Sequence, residues 1–549
     1  MAMARFRPSD TVDFVVIGSG AAGGVVAKEL ATAGFSVVVL EQGPYLREKD
    51  FTHDEIKLQR QGYLLNDWKR QPNTFRKREA ETAVEQPAIF YGQQVGGGTV
   101  HYTANFWRFH EVDFEERTRW GGVPGASLED WPIRYAELEP YYTKAEQELG
   151  VSGLTGANPF ESSRSAPYPL PPLPVKASGR IFERAAKQLG LHPFPAPMAI
   201  LSQPYRGRAA CVQCAYCKGY GCEVRAKSSS LATVIPVAER SGRCEIRAEC
   251  RVRKIEMGNG DRVTGAVYFD PRGREVTQRS RAVVVCANGA ETPRLLLMSK
   301  SNRFPQGIGN SNGLVGRYFM VDTGVSVQAL FDAPLNDYKG ANVSRVLHDY
   351  YDSDAKRGFY GGGGIDARFD WSPINFALSA LPRDAPRWGE GFKAALAEYF
   401  PRTMRLMAHS TCLPVETNSI SLDPKLKDAW GLPALRMTFK NHADDLKVLR
   451  FLQQRCREIL EAARAKKIWT DPVEDFTITG HLMGTCRMGG DARMSVVNRN
   501  HRVHDVKNLF VVDGSSFVTS GRQQPTCTIH ALAYRAADLM GKAARAREL

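Results

Sequence analysis

The chain has 549 residues, more than one hydrophobic core usually supports, so two or more domains are expected. Hydrophobic residues make up 43% and charged residues 24%, a soluble globular balance, and no apolar run approaches the roughly 18 residues that span a bilayer. The net charge of +14 is spread along the chain rather than gathered in a tail, which reads as a solvated basic surface, suited at most to steering an acidic partner, and argues against nucleic-acid binding. The opening residues, MAMARFRPSDTVDFV, show neither an apolar signal core nor a twin-arginine signal. The expected location is the cytoplasm, or the bacterial periplasm by carriage with a partner that has a signal.

The first predicted elements fall in residues 12–43, VDFVVIGSGAAGGVVAKELATAGFSVVVLEQG. Val12–Ile17 is short and β-branched, like a buried parallel strand. Gly18, Gly20 and Gly23 then form G-x-G-x-x-G, a helix is predicted from Ala21 to about Ala33, and a second strand, Ser36–Leu40, leads to Glu41. Gly18 permits a tight turn, Gly20 lets the backbone approach a pyrophosphate, and Gly23 lets helix pack on strand. The helix N-terminus offers free N–H groups to phosphate. Glu41, 23 residues after Gly18, can accept hydrogen bonds from a ribose diol. All five parts occur in order, so the segment reads as a dinucleotide site, open to NAD and FAD alike.

Val95–Arg108, VGGGTVHYTANFWR, carries three consecutive glycines, Gly96–Gly98, that let backbone approach a planar ring or a phosphate. Pro167–Val175 is proline-rich and reads as an extended surface linker. Arg281–Met298 reads as a strand, a glycine turn and a helix opened by Pro293. Val325–Phe331 and Met404–His409 are strand-like, and the run Gly361–Gly364 is expected to be a mobile loop. The last stretch, His481–Leu539, contains HLMGTCRMGG and then NLFVVDGSSFVTSGRQQPTCTIHALAYRAADL.

Four of the eleven cysteines crowd into CVQCAYCKGYGC: Cys211, Cys214, Cys217 and Cys222. Thiols this close bind metal, form disulfides or carry electrons. A structural zinc site usually joins two ligand pairs separated by a dozen or more residues. The spacing C-x2-C-x2-C-x4-C better suits a loop wrapped around an iron–sulfur cluster, [4Fe–4S] with all four or [3Fe–4S] with three. Gly219 and Gly221 allow the turns, and Lys218, Arg225 and Lys227 would balance an anionic cluster. Disulfides, free thiols and zinc are the competing readings. The other seven cysteines sit largely in apolar runs and are expected to be buried.

Taken together, the motifs at both ends, with Asp130–Tyr142 (DWPIRYAELEPYY), Asn310–Met320 (NSNGLVGRYFM) and Asn418–Pro424 (NSISLDP), resemble the glucose–methanol–choline (GMC) oxidoreductase family over nearly the whole chain. Within it, the likeness is to the flavin subunits of bacterial sugar dehydrogenases acting on glucose, glucosides or fructose. The resemblance implies an α/β fold with a Rossmann-like FAD-binding domain and a sheet-plus-helices substrate-binding domain. The first would be discontinuous, 10–124, 206–320 and 475–549, and the second 125–205 and 321–474. By position, Gly18, Gly20, Gly23 and Glu41 would hold the ADP half of FAD, and Val252 would meet the adenine through its backbone. Gly97, Thr99 and Asn105 would lie against flavin and pyrophosphate, with Asp513 and Gly514 approaching from the far end of the sequence. His101 stands where some members attach FAD covalently and others carry an unbonded histidine.

The family's reaction moves a hydride to flavin N5 while a base takes the hydroxyl proton, a task suited to histidine. His481, in the HLMGTCRMGG motif, matches the family's active-site histidine. The second position is usually Asn or His; here the register gives Gln524, which can donate and accept hydrogen bonds but cannot act as a base. The expected activity is oxidation of a sugar or glycoside hydroxyl, with C3 of a glucoside the favoured carbon. Electrons would leave through an iron–sulfur cluster to a separate cytochrome or other acceptor, in company with a small accessory subunit. An oxygen-using alcohol oxidase and a non-catalytic flavin electron-transfer subunit are the alternatives.

Overall fold

The computed structural model describes residues 6–473 and 480–549. Val12–Ile17 is the centre of a seven-stranded sheet, flanked in parallel by Val37–Leu40 and by Glu275–Val285. Val37–Leu40 and the last four residues of Glu275–Val285, Ala282–Val285, are as buried as Val12–Ile17 itself, as strands covered on two faces must be. Cys244–Arg247 extends the sheet beyond Val37–Leu40, and Leu509–Val511 joins Glu275–Val285 in parallel. The eleven-residue strand Glu275–Val285 has two jobs. Its second half completes the parallel sheet, while Glu275–Arg279 pairs antiparallel with Val263–Phe269, which in turn pairs with Arg251–Met257. The helix Ala21–Thr32 buries an almost continuous small-residue face, Ala22 to Ala27, against the sheet and the C-terminal helix Thr526–Arg545.

A second, six-stranded antiparallel sheet runs in the order Lys467–Thr470, Thr323–Leu330, Thr403–Ser410, Gly363–Arg368, Val343–Leu347, Phe194–Pro195. The two runs read as strands from sequence are neighbours here, paired from Thr323↔Ser410 to Leu330↔Thr403. Strand alternation decides what each face does. Along Thr403–Ser410, Met404, Leu406 and Ala408 point into a core closed by the helix Ala443–Ala462, whose Val448, Leu452, Cys456 and Ile459 recur at helical spacing. The alternate residues Arg405, Met407 and His409 face a large cavity.

Three expectations need correction. Gly363 and Gly364 are no loop but the start of the buried strand Gly363–Arg368. Glycine is required there because a Cβ would fall 1.9 Å from His409 O and 1.7 Å from Gln523 Nε2, respectively. The helix after the glycine turn starts at Asn288, not at Pro293; the Asn288 Oδ1 accepts from the N–H groups of Ala290 and Glu291. A four-stranded sheet joins Ser419–Lys427 and Pro433–Thr438 to Asn73–Arg76 and Val84–Glu85, so residues 419–438 share a sheet with the segment assigned to FAD binding. The boundary expected at 474/475 lies outside the described residues. The seven scattered cysteines are all buried.

Candidate active site

A cavity of about 1110 Å³ lies between the C-terminal ends of the parallel strands and the exposed face of the antiparallel sheet. This is where an open α/β sheet places its ligand. Gly18 has φ +92°, and a Cβ there would come within 2.5 Å of Cys286 O. Gly23 lies under Gly18, whose carbonyl oxygen would be 1.9 Å from an added Cβ. Gly97, at φ +54°, meets Gly20 so closely that a Cβ would sit 2.8 Å from the Gly20 Cα. The two glycine loops, far apart in sequence, therefore form one backbone-lined cradle.

Glu41 is buried at the mouth of this cradle. It accepts from the Ser19 N–H (3.0 Å), the Ser19 hydroxyl (2.7 Å) and the Gly43 N–H (2.9 Å). Burial raises its carboxyl, and these donors oppose the rise. Asp513 enters from the other side. It accepts from Thr292 Oγ1 (2.6 Å) and from the Asn288 and Ser515 N–H groups, which ties the C-terminal segment to the helix after Glu275–Val285. Gly514, Thr99 and Val252 line the same cavity. Asn105 does not; it is buried beside Met198, with neither amide atom partnered among the described residues. His101 lines the cavity with a buried Nε2 that has no partner among the described residues, and burial, aided by Lys227, pushes its imidazole down to about 4. A glycine cradle, an acid, Glu41, just past the strand Val37–Leu40 and a helix N-terminus at Asn288 fit a dinucleotide cofactor.

The opposite end of the cavity holds two histidines around one buried carboxylate. His481 Nδ1 is 2.6 Å from Asp322 Oδ2, and His409 Nδ1 is 2.9 Å from the same oxygen. The Arg368 guanidinium, which can only donate, lies 3.1 Å from His409 Nε2. His409 Nε2 therefore faces the Arg368 donor, and its Nδ1–H donates to Asp322. Burial alone would raise the Asp322 carboxyl, but the two histidines outweigh it and hold it well below the usual carboxylate range. An ionised Asp322 in turn keeps a proton on His481 Nδ1, which leaves Nε2 as the basic atom. The His481 side chain is about a third exposed, at 36%, and borders the cavity. Gln524 borders it too, buried, with both amide atoms unpartnered among the described residues.

Asp322, His409 and Arg368 carried no signal in the sequence. Asp322 becomes visible only through a two-residue ladder, Met320↔Met483 and Val321↔Leu482, which sets the next pair, Asp322 and His481, side by side.

The cysteine loop forms part of the same wall. Lys218 and Gly219 line the cavity, and the Gly219 N–H donates to His101 O at 2.7 Å. Buried Lys227 donates to the carbonyls of Cys217 (2.6 Å), Tyr220 (2.7 Å) and Tyr102 (3.1 Å). None of Cys211, Cys214, Cys217 and Cys222 is in a disulfide. Burial pushes the Cys217 thiol up to about 12, Lys227 opposes that rise, and the other three thiols act on it as well. The four thiols share one short loop, with the buried Lys227 ammonium behind it.

The glycine cradle thus opens onto a histidine–carboxylate pair in one cavity, an arrangement compatible with a nucleotide-dependent oxidoreductase. The chain belongs to the GMC oxidoreductase family: residues 12–320 and 414–533 match the two family models described as GMC oxidoreductase. It is 36% identical to 2-methyl-1,2-propanediol dehydrogenase of Mycolicibacterium austroafricanum, over 97% of this chain and 96% of that protein. It is 31% identical to the gluconate 2-dehydrogenase flavoprotein of Pantoea cypripedii, over 95% and 92%. A solved formate oxidase of Aspergillus oryzae shares the fold, with a TM-score of 0.67 at 16% identity over 99% of this chain and all of that one. The protein is thus an FAD-dependent oxidoreductase acting on CH–OH groups.

Proposed function

We propose that the chain is a dehydrogenase that oxidises a hydroxyl of a sugar, glycoside or related polyol, with His481 as the base. The observation that carries this reading is the 2.6 Å contact between His481 Nδ1 and Asp322, which orients the imidazole. The substrate hydroxyl sits between His481 Nε2, which takes its proton, and the Gln524 amide, whose unused donor and acceptor hold the oxygen in place. FAD, when bound, accepts the hydride from the hydroxyl-bearing carbon. Gly18, Gly20, Gly23, Glu41, Gly97, Thr99, Val252, Asp513 and Gly514 would hold it, with His101 beside the ring; Asn105 would act from behind the wall. Polyol-type substrates are supported by the relatives named above, whose own substrates are a diol and a sugar acid.

Cys211, Cys217 and Cys222, together with Cys214 for a four-iron cluster, would hold an iron–sulfur centre, which supplies one-electron transfer to an outside acceptor. The hydrogen bond from Gly219 to His101 O supports this reading, because it joins the cysteine loop to the cofactor wall. A separate cytochrome or similar carrier and a small accessory subunit are the partners we propose.

Anaerobic mixing with a panel of sugars, glycosides and small diols tests the reading. Bleaching of the flavin by at least one of them, lost in His481→Ala, is the expected result. Peroxide formed in air without an added dye would instead favour an oxygen-using oxidase. No bleaching by any alcohol would favour a non-catalytic electron-transfer subunit.

A further inference from the structure

We propose that the cysteine loop carries a mononuclear zinc site made by His53, Cys214 and Glu223, separate from the flavin site. One ligand atom from each, an imidazole nitrogen, a thiol sulfur and a carboxylate oxygen, all lie within 4.8 Å of one another, the one such trio among the described residues. His53 Nε2 is already 3.2 Å from Glu223 Oε1. Ligand atoms around a tetrahedral zinc stand about 3.5 Å apart, so a small contraction completes the set. A thiolate, an imidazole and a carboxylate suit zinc, a borderline-soft ion without redox chemistry, and leave a fourth position to water.

The surroundings hold these side chains in place. The His53 ring stacks on Tyr216, with centroids 4.1 Å apart and planes 11° from parallel. Cys214 sits between two non-glycine residues in the left-handed region, Gln213 at φ +58° and Ala215 at φ +73°, a costly conformation of the kind found at ligand clamps. His53 comes from a different part of the chain, and its segment grips the loop at two further points. Gln59 Nε2 donates to Lys218 O at 2.7 Å, and Phe51 lies so close to Gly221 that an added Cβ would be 2.0 Å from its ring. Zinc would fasten the loop to a segment whose Leu58 and Gln59 line the cavity beside Lys218 and Gly219.

The assignment narrows the electron-transfer reading above, since it leaves Cys211, Cys217 and Cys222 as the cluster's protein ligands. The test is metal analysis of purified holoenzyme incubated with Zn²⁺ alone, then desalted, alongside His53→Ala, Cys214→Ser and Glu223→Gln. One zinc per chain is expected, with each variant weakening zinc binding by roughly tenfold or more while iron and FAD stay at wild-type levels. Co²⁺ put in place of Zn²⁺ is expected to give d–d bands beyond the flavin absorption, lost in His53→Ala. No zinc bound to the wild type, or zinc unchanged in His53→Ala, would overturn the site. So would loss of iron in Cys214→Ser, which would assign Cys214 to the cluster. Absence of iron from the wild type would instead remove the cluster reading and leave the zinc site standing.

Discussion

His481 and Asp322 are 159 positions apart, and their side chains meet at 2.6 Å because two short strands, Met320–Val321 just before Asp322 and Leu482–Met483 just after His481, pair antiparallel. The same carboxylate oxygen also accepts from His409, so a single buried acid orients two imidazoles. The arrangement makes Asp322 the positioning residue for the proposed base.

Asp322→Asn keeps the side-chain shape and removes the charge. Turnover is expected to fall by about a hundredfold or more, because the amide no longer fixes the His481 tautomer. FAD content should stay normal. A variant with wild-type kcat would refute the role given to this acid.

Gln524 offers a donor and an acceptor to the cavity, with no protein partner for either among the described residues. Gln524→Ala should lower kcat/KM by roughly tenfold to a hundredfold with FAD retained, and Gln524→Asn should recover part of it if the amide contacts the substrate oxygen. Steady-state kinetics on the best substrate of the panel separate these outcomes.

Gly97 has φ +54° and a 2.8 Å limit to the Gly20 Cα. Gly97→Ala should therefore open the cradle and lower the flavin-to-protein ratio of the purified enzyme, while far-ultraviolet circular dichroism is unchanged. A normal flavin ratio would show that the two glycine loops do not grip the cofactor.

Arg522 is fully buried and paired with Asp113 at 2.7 Å and with Glu116, two residues from Gln524. Arg522→Met would leave two buried carboxylates without their cation. A loss of about 3–5 kcal/mol in unfolding free energy is expected from denaturant titration.

Burial pushes several histidines down, His101 and His530 to about 4, His348 and His501 to about 3, and His110 well below its ordinary value. Their ordinary value is about 6.5. Between those values the unfolded chain binds more protons than the folded one, so stability is complete above about pH 6.5 and is lost as pH falls toward 4. Tm should drop steadily on acidification from pH 7 to pH 5, and His530→Gln should flatten that slope. A Tm independent of pH over this range would contradict the burial of these rings.

The N-terminal dinucleotide segment was legible in sequence because its determinants are local. A β-branched run, spaced glycines, a helix and an acid each state their role within a few residues, and the structure puts them at Val12–Ile17, Gly18–Gly23, Ala21–Thr32 and Glu41. His481 was legible for a different reason, a family motif of adjacent residues. The strands Thr323–Leu330 and Thr403–Ser410 were visible in outline, but Gly363 and Gly364 were misread as a loop, since glycine signals flexibility and close packing alike.

What the chain alone determined, then, is the nucleotide fold, the family and the histidine, all written in short contiguous patterns. What only the tertiary structure decided is the company that histidine keeps. His409 and Arg368 sit on strands, and Asp322 between two, brought together by long-range antiparallel register, and the His53–Cys214–Glu223 trio spans two loops. Hydrogen-bond partners across such distances depend on how sheets pair and pack, and no local spacing of residue types encodes that.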